Sequence, residues 1–494
     1  MPVRLSNAAL GKLSKGVVVP LYDRSRLTPG IVHIGLGNFH RAHQAWYLHR
    51  LMQEGHAFDW GIIGAGVRVY DREQRRKLEA QDFLTTLIEL DPGATSAEII
   101  GSIIGYVPVE EENGPLIRQM ADSAIRIVQL TVTEGGYFID PASNSFDAGN
   151  DEIRHDAENP ETPHTVFGAI IAALQRRRAT GVGPLTLQSC DNLQGNGDIL
   201  REAVVTLAGL SDPELADWID TECTFPNSMV DRIVPATGDR ELALAHEIGI
   251  DDAVPVTHES FCQWVVEDKY CAGRPAWDRV GVTFSDRVRD YEEMKIRILN
   301  GGHQILANPG EILAVETIAD CMAHPLIGSL FRKVAREEII AHVNPVPDTA
   351  PEAYVDLVDR RFSNPMIVDT PRRVAFDGSS RHTGFILPVL REALGCAAPS
   401  DGLALAEALW CRMCAGTRED GTVIKPNDPF WPQLHNAACA ARLDPLAWLD
   451  QGHLYGDLGG NRTFAAAFSK WLKLIWESGT ETAMQAYIGS RQKA

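Results

Sequence analysis

The 494-residue sequence lacks the features that mark membrane, nucleic-acid-binding and disulfide-rich proteins. No apolar run approaches the ~20 residues that a membrane-spanning helix needs. Positive charge is scarce, because 46 Lys and Arg stand against 66 Asp and Glu, and the net charge of −20 disfavours binding to phosphate backbones and anionic lipid. The nine cysteines form neither a disulfide framework nor paired metal-ligand spacings. We therefore expect neither a nucleic-acid nor a membrane partner.

The first twenty residues also lack a long apolar segment and a clear cleavage site, as a secretion signal would require. Together with the scattered cysteines, this predicts a protein of a reducing compartment, most simply the cytoplasm. The composition, 45% apolar and 23% charged, is typical of a soluble globular protein, and the length predicts two or three domains. The sequence leaves the oligomeric state open, a monomer included.

Short apolar segments alternate with helical patterns in the first part of the chain. Strands are predicted at 31–34, 60–67, 125–132, 185–189 and 280–284. Helices are predicted at 38–51, 71–81, 166–178 and 199–207. The polar, acidic segment 140–165 is interpreted as a surface excursion within the first domain. Alternating strands and helices predict an α/β domain with a parallel sheet over residues 1–285.

From residue 286 to 494 the pattern becomes mostly helical, which predicts a second, mostly α-helical domain. Its predicted helices are 287–307, 311–323, 327–342, 351–362, 402–415 and 463–477. Loops rich in proline and glycine separate them. The expected architecture is therefore an α/β half followed by a helical half.

A two-glycine turn follows the first predicted strand and opens a helix, which is the setting of a dinucleotide-binding turn. Gly35 permits the tight turn, and Gly37 lets backbone N–H groups approach a pyrophosphate. Asn38 and Phe39, at the start of the helix, complete the predicted cofactor contacts. His40 stands where the third glycine of the motif is expected, so a plain strand-to-helix turn remains the alternative.

An acidic residue beyond the second strand would select the cofactor by accepting hydrogen bonds from the adenosine ribose. Asp71 is the candidate, although it lies further along the chain than usual. Arg68 and Arg72 flank it, and either would suit the 2′-phosphate of NADP. We predict NAD with NADP as the alternative; a helix-capping role for Asp71 is the other interpretation.

The densest chemistry lies in the predicted helix 287–307. At α-helical spacing, Asn300 lies roughly 140° and His303 roughly 80° from Lys295, so the three side chains share one broad face. Gly301 and Gly302 each cost about 1 kcal/mol relative to alanine, which indicates that something approaches the backbone there. The alternative is a solvated amphipathic helix.

The segment MKIRILNGGH resembles the signature of the polyol-specific long-chain dehydrogenases. GLGNFHRAHQAWYL, TVTEGGY, QSCDNLQGNG, FPNSMVDRIVP and AFDGSSRHTGFILP are similar to other blocks of that family, in the family's order, from about residue 30 to 390. The resemblance implies a Rossmann-type domain followed by a helical one, a nicotinamide cofactor and no metal. It further implies interconversion of a polyol of the mannitol, sorbitol or arabinitol type with its ketose.

The resemblance also implies roles for individual residues. Lys295 would be the general base that takes the alcohol proton; lysine's usual pKa of ~10.4 makes it a poor base at neutral pH, so the site would have to lower that pKa. Asn192 and Asn300 would donate hydrogen bonds to the oxygen on which negative charge develops. Glu292, one helical turn before Lys295, would carry the proton to solvent.

His303 and Arg373 resemble residues that bind the remaining hydroxyls of the substrate. Arg381 departs from the pattern, because lysine is expected there in the mannitol enzymes, and a planar guanidinium grips polyols and carboxylates differently. A hexuronate reductase of the same family, acting between fructuronate and mannonate, is therefore the alternative. A non-catalytic dinucleotide-binding sensor is a third, and the combination of Lys295, Asn192 and His303 speaks against it.

Three further features each carry an expectation of their own. Asp231 either contacts the substrate or pairs internally with Arg232. Glu134 either contacts the cofactor, orients the catalytic lysine or stabilises its turn. His40 and His43 have a spacing that shares one helix face, but no third ligand is evident, so we predict no metal.

Overall fold

The computed structural model describes residues 2–110, 112–140 and 145–490. The chain divides into two compact units, Met1–Arg289 and Asp290–Ala494. The predicted fold class is confirmed, because the first unit contains a parallel sheet with helices and the second is mostly helical.

All described strands lie in the first unit. They are β1 (Val3–Arg4), β2 (Val17–Val18), β3 (Pro29–Ile34), β4 (Gly61–Ala65), β5 (Thr85–Leu90), β6 (Thr95–Ile100), β7 (Ile103–Tyr106), β8 (Ile127–Leu130), β9 (Ile139–Asp140), β10 (Ser145–Phe146), β11 (Thr186–Ser189), β12 (Ser228–Asp231), β13 (Ile250–Asp251), β14 (Val256–His258), β15 (Gln263–Val266) and β16 (Thr283–Phe284). Five of them form a fully parallel sheet in the order β11-β8-β3-β4-β7. When these five strands are numbered 1 to 5 along the chain and read from β7 to β11, their order is 3-2-1-4-5, as in a Rossmann sheet. The switch point, where the order reverses, lies between β3 and β8.

The helices of the first unit connect and cover these strands. They are α1 (Asn38–Ala42), α2 (Gln44–Gln53), α3 (Asp71–Glu79), α4 (Gly114–Ala121), α5 (Asp151–Glu158), α6 (Val166–Thr180), α7 (Asn196–Ser211), α8 (Pro213–Glu222) and α9 (Asp239–Glu247). Short 3₁₀ turns occupy Asn7–Lys12, Arg24–Arg26, Glu134–Tyr137 and Trp277–Val280.

Alternation along β3 divides the unit into two cores, because successive strand residues face opposite sides. Val32 and Ile34 pack with residues of α4, α6 and α7. Ile31 packs on the other side with residues of α2, and His33 shares that face. Both faces of the sheet are therefore covered, as a parallel sheet requires.

Smaller sheets complete the first unit. A mixed sheet has the order β14-β5-β6-β2, and a three-stranded sheet has the order β12-β15-β16. Two further pairs join β1 to β13 and β9 to β10.

Three predictions about the first unit need correction. The predicted helix 38–51 breaks at His43, whose φ of −128° and ψ of −92° are not helical, and Arg232 Nη1 donates to the freed carbonyl of Ala42 at 2.5 Å. The predicted strand 280–284 shortens to β16, because a 3₁₀ turn precedes it. Within 140–165, residues 141–144 lie outside the described residues, and the rest is not a simple surface segment, because it forms α5 with Ile153 and Asp156 buried.

The second unit is built from helices around a buried central one. They are α10 (Val288–Met294), α11 (Gly301–Ile312), α12 (Ile318–Ala323), α13 (Pro325–Val334), α14 (Pro351–Phe362), α15 (Pro371–Val374), α16 (Gly378–Arg381), α17 (Leu387–Gly395), α18 (Asp401–Cys414), α19 (Trp431–Ala441), α20 (Leu446–Leu449), α21 (Gly452–Tyr455), α22 (Arg462–Ser478) and α23 (Thr480–Gly489). Three π-helical segments, Lys295–Asn300, Ala335–Ile339 and His382–Ile386, and two 3₁₀ turns, Ile340–His342 and Gly456–Gly460, lie among them. Helix α18 is buried from Gly402 to Cys414 and packs against α11, α13, α19, α22 and α23.

The helix predicted at 311–323 is wrong in part. Helix α11 ends at Ile312, and α12 begins only at Ile318, where the Thr317 side chain accepts the backbone N–H of Asp320 at 3.0 Å. No helix within the described ranges is both long enough and apolar enough to cross a membrane.

Candidate active site

A cleft with a volume of about 340 Å³ opens at the carboxyl ends of β3, β4 and β8. Its size falls within the ~300–1,000 Å³ that is usual for ligand sites, and its place beside the switch point is where Rossmann sheets bind ligands. The lining includes Gly35, Gly37, Asn38, Arg68, Tyr70, Asp71, Thr131, Thr133, Phe138 and His164. Four of the six predicted cofactor residues therefore line one pocket.

The two glycines of the turn differ in what they contribute. Gly35 has a φ of +92°, and a Cβ there would lie 2.0 Å from the carbonyl oxygen of Thr131, so only glycine fits. A Cβ at Gly37 would meet no atom of the described residues within 4 Å, so this backbone is open on the pocket side. The turn thus has the tight bend and the accessible backbone that a pyrophosphate needs.

The missing third glycine also has a structural explanation. His40 is fully buried and stacks on His33 with ring centroids 3.4 Å apart. The space that a third glycine would leave for close helix–strand packing is filled here by two stacked rings.

Asn38 braces the turn with its side chain. Its Nδ2 donates to Pro235 O at 3.0 Å and to Thr237 Oγ1 at 2.9 Å, and its Oδ1 accepts from Arg41 Nη2 at 2.6 Å. Phe39 is not among the described lining residues of the pocket and stacks on His43 at 4.9 Å. Asn38 is therefore placed to meet a ligand through its backbone, whereas Phe39 packs away from the pocket.

Asp71 lies in the first turn of α3 and lines the pocket. Its Oδ2 accepts the backbone N–H of Arg68 at 2.9 Å, and a Cβ at Gly66 would come within 2.4 Å of the carboxylate. Burial raises the pKa of Asp71 above its ordinary value. Arg68 lines the same pocket, whereas Arg72 Nε donates to Val109 O at 3.1 Å.

The loop after β8 is held by Asp191, a residue that was not predicted from the sequence. Its carboxylate accepts the backbone N–H groups of Val132 at 3.0 Å and Thr133 at 2.9 Å, and the hydroxyl of Tyr137 at 2.7 Å. Thr133 has φ 69° and ψ 161°, an uncommon conformation for a residue with a side chain. Burial raises the pKa of Asp191 to about 6. Glu134, in the 3₁₀ turn of this loop, is exposed and outside the described pocket lining.

Asn196 ties the loop that carries Asn192 to strand β12. Its Nδ2 donates to the carbonyls of Asp191 at 3.0 Å and Ser228 at 2.8 Å. Asn192 is exposed, and Asp231, the last residue of β12, is buried. Asn196 was not predicted from the sequence, although its position in the block QSCDNLQGNG was a signal.

In the second unit, Lys295 begins a π-helical segment and Asn300 ends it. Lys295 and Glu292 are 8% and 4% exposed, so both polar side chains lie in the interior. The i→i+5 winding turns Asn300 closer to the face of Lys295 than the α-helical spacing assumed from the sequence, and such segments are frequent at functional sites.

The adjacent glycines follow from helix packing. A Cβ at Gly302 would lie 2.5 Å from Cε2 of Phe331, whereas a Cβ at Gly301 would lie 3.6 Å from its nearest neighbours, Ile386 Cδ1 and Phe385 O. The group that approaches the backbone at Gly302 is therefore an aromatic ring of the same unit.

His303 lies among charged side chains and stacks on Phe362 with centroids 4.1 Å apart. Burial lowers the pKa of His303 to about 3, with smaller contributions in the same direction from Arg373 and Arg381 and an opposing one from Asp369. The imidazole is therefore neutral at ordinary pH and has one donor and one acceptor nitrogen for hydroxyl groups.

Arg373 and Arg381, both predicted to bind substrate, are each held by a nearby partner, Asp369 and Val374 respectively. Arg373 forms a two-bond ion pair with Asp369, at 2.6 Å from Nε to Oδ1 and 2.5 Å from Nη2 to Oδ2. Arg381 Nη1 donates to Val374 O at 2.9 Å, and Gln304 Nε2 donates to the same carbonyl at 3.1 Å.

A buried hydrogen-bonded pair next to Arg381 in the chain was also not predicted. His382 Nδ1 lies 2.6 Å from Glu407 Oε1, and Asn308 Nδ2 lies 3.0 Å from His382 Nε2. Glu407 also accepts the Tyr455 hydroxyl at 2.7 Å. His382 and Glu407 are both fully buried, so their hydrogen bond fixes the start of the third π-helical segment.

The histidines of the predicted HxxH pair have other partners. His40 is buried against His33, and His43 Nε2 lies 2.9 Å from Gln263 O. Across the part of the chain that the structure describes, no group of three or more His, Cys, Asp or Glu is arranged to hold a metal ion.

Comparisons with known proteins relate both halves of the chain to the same protein family. The family described as the mannitol dehydrogenase Rossmann domain matches residues 29–279, and the one described as the mannitol dehydrogenase C-terminal domain matches residues 287–476. A mannitol 2-dehydrogenase of Cereibacter sphaeroides is 51% identical over 478 residues, which cover 97% of this chain and 100% of the relative. One from Pyricularia oryzae is 36% identical over 96% of each chain.

Two solved structures share the whole fold. Pseudomonas fluorescens mannitol 2-dehydrogenase in a ternary complex with NAD and D-mannitol has a TM-score of 0.89 and 38% identity, covering 99% of this chain and 100% of that one. A D-sorbitol dehydrogenase in substrate-free form has a TM-score of 0.89 and 33% identity, covering 97% and 100%. The resemblance found in the sequence is confirmed, and the chain belongs to the mannitol dehydrogenase family of polyol dehydrogenases.

Proposed function

We propose that the protein is an NAD-dependent dehydrogenase that interconverts mannitol and fructose. The observation that carries the proposal is the pocket at the ends of β3, β4 and β8, which combines the open Gly37 backbone with the Asp71 carboxylate. The relatives named mannitol 2-dehydrogenases, and the NAD and D-mannitol bound in one solved structure, support the same activity. Nine cysteines without disulfides are consistent with the accompanying prediction of a reducing, cytoplasmic location.

The choice of NAD rests on Asp71. Its carboxylate faces the pocket from the start of α3, where it would accept hydrogen bonds from ribose hydroxyls and repel a 2′-phosphate. Arg72, one of the two flanking cations, is engaged by Val109 O, which leaves Arg68 as the cation at this wall. A single arginine beside a carboxylate favours the dinucleotide without the extra phosphate.

The proposed reaction uses one group from the cofactor and several side chains of the protein. When bound, the oxidised nicotinamide supplies a hydride acceptor for the carbinol carbon. In the second unit, Lys295 takes the hydroxyl proton as general base, Asn300 donates to the oxygen as charge develops, and Glu292 passes the proton onward. These are proposed roles, supported by the burial of Lys295 and Glu292 and by the π-helical winding.

The remaining proposed contacts concern the other hydroxyls. Neutral His303 donates one hydrogen bond from its protonated ring nitrogen and accepts one at the other. Arg373 and Arg381 donate from their guanidinium groups. In the first unit, Asn192 is the second proposed donor to the reacting oxygen, and Asp231 is the proposed acceptor.

The test is NADH formation by the purified protein with mannitol, sorbitol, arabinitol and mannonate, repeated with NADP. We expect NAD-dependent turnover of mannitol. Lys295→Met should lower kcat by at least about 100-fold while NAD affinity is retained, because general-base catalysis is worth ~10²–10⁴-fold. Lys333→Met, which removes a lysine paired with Glu337 in the same unit, is the control.

Turnover of mannonate alone would replace the proposal with hexuronate reduction. Binding of NAD without turnover of any substrate would indicate a sensor. Full activity of Lys295→Met would remove this lysine from the mechanism while leaving the family assignment intact.

A further inference from the structure

The ion pair between Asp369 and Arg373 joins two residues of very different exposure. The Asp369 side chain is 8% exposed and the Arg373 side chain is 67% exposed, so a buried carboxylate holds a guanidinium at the surface of its unit. Both oxygens of Asp369 are used, in the two-bond geometry that gives arginine–carboxylate pairs their strength. The charge of Arg373 is therefore compensated before any substrate arrives.

The segment that carries the pair is fixed at several points. The backbone N–H of Ile318 donates to Asp369 O at 2.9 Å, and Thr370 Oγ1 accepts the Arg373 N–H at 3.2 Å. A Cβ at Gly310 would lie 3.0 Å from Pro371 Cγ, so α15 rests directly on the backbone of α11. The pair is thus held rigidly in place.

The same segment is attached next to His303. Gln304, the residue after His303, donates to Val374 O at 3.1 Å, and Arg381 donates to that carbonyl as well. The pair therefore lies close to His303, the proposed polyol-binding group, with which both of its members interact electrostatically.

We propose that Asp369 is a specificity-determining residue, which compensates Arg373 so that the site accepts uncharged polyols and discriminates against substrates that bear a carboxylate. This inference rests on the proposed polyol oxidation. The N–H groups of Arg373 that Asp369 leaves unused still donate to hydroxyl oxygens. A substrate carboxylate gains little from a compensated cation and meets the negative charge of Asp369.

The probes are D-mannitol and D-mannonate, which is mannitol with one terminal CH₂OH replaced by a carboxylate. We measure the ratio of kcat/KM for mannonate to that for mannitol with NAD. Asp369→Asn should raise this ratio by about tenfold, because Arg373 then offers an uncompensated charge to the carboxylate. The double variant Asp369→Asn with Arg373→Met should return the ratio to near the wild-type value.

Two variants control for lost structure. Asp369→Glu keeps the charge and should keep the wild-type ratio. Asp359→Asn breaks the comparable two-bond pair with Arg332 in the same unit and should also leave the ratio unchanged. Where Asp369→Asn turns over too slowly, calorimetry on the NAD-saturated variant gives the ratio of the two dissociation constants, with the same expected shift.

An Asp369→Asn ratio equal to or below the wild-type value overturns the inference, as does a raised ratio that persists in the double variant. If the wild-type protein oxidises mannitol, such a result leaves the proposed function standing. If the wild-type protein does not oxidise mannitol, the proposed function and the inference fail together.

Discussion

His33 donates its Nε2–H to Thr131 Oγ1 across 2.8 Å, and Thr131 donates its hydroxyl hydrogen to Gly35 O across 2.6 Å. The direction follows because the hydroxyl has one hydrogen, which it gives to the carbonyl. Burial lowers the pKa of His33 to about 3, so the imidazole is neutral and keeps this arrangement at ordinary pH. The chain of bonds crosses from β3 to β8 at the switch point and fixes the glycine turn.

Thr131→Val should weaken NAD binding by about fivefold to tenfold, because it removes both hydrogen bonds while preserving shape. The dissociation constant of NAD, measured by fluorescence titration or calorimetry, is the readout. Thr86→Val is a matched control, since Thr86 is fully buried and its Oγ1 has no hydrogen-bond partner among the described residues. Unchanged NAD affinity in Thr131→Val would show that the backbone alone holds the turn.

Asp71→Asn should reverse part of the proposed preference for NAD over NADP. The amide oxygen can still accept the Arg68 N–H, but the charge that repels a 2′-phosphate is gone. We expect kcat/KM with NAD to fall by about tenfold. The ratio of kcat/KM with NADP to kcat/KM with NAD should rise by more than this factor. Glu73→Gln removes an exposed carboxylate from the same helix and should leave the ratio unchanged. An unaltered ratio in Asp71→Asn would assign cofactor choice to another residue.

The sequence predicted elements well where local signals mark both ends. Helix α6 begins where Thr165 Oγ1 accepts the N–H of Gly168 at 3.1 Å and ends at Gly181, with φ +71°. Helix α14 has the predicted bounds, 351–362. The antiparallel pair β5–β6 was missed, because its stability depends on pairing rather than on any strong local apolar run.

The site was predictable where the chemistry is local. The glycine turn needs only a strand, two glycines and a helix start, so Gly35 and Gly37 were identified from sequence. Asp191 was missed, because its partner Thr133 lies 58 residues away. The π-helical winding at Lys295 was also invisible, since the sequence there fits an α-helix equally well.

The raised pKa of Asp191 makes stability depend on pH. Burial raises this pKa from 3.8 to about 6, so the folded protein keeps a proton that the unfolded chain has lost. The associated stabilisation is present below about pH 4 and disappears as the pH rises to about 6, by at most about 3 kcal/mol. Asp191→Asn lacks this effect.

Thermal unfolding at pH 4.5, 5.5 and 6.5 checks this prediction. The Tm of the wild type should fall relative to that of Asp191→Asn as the pH rises. Asp23→Asn is the unresponsive control: hydrogen bonds from Ser25 lower the pKa of Asp23 below its ordinary 3.8, so this carboxylate is largely ionised in both states over this pH range and the Tm difference from the wild type should stay nearly constant. A constant Tm difference between the wild type and Asp191→Asn would mean that Asp191 titrates alike in the folded and unfolded states.

Replacing Gly301 or Gly302 by alanine should change the free energy of unfolding in opposite directions. A Cβ at Gly302 would overlap Phe331, at 2.5 Å, so Gly302→Ala should destabilise the second unit by about 1–3 kcal/mol. A Cβ at Gly301 meets its nearest neighbours at 3.6 Å, an ordinary contact, so Gly301→Ala should gain up to about 1 kcal/mol from helix propensity. Denaturant unfolding of both variants measures the difference. Equal destabilisation would mean that the glycines serve the π-helical winding before them, whereas opposite signs would assign Gly302 alone to the packing of α11 on α13.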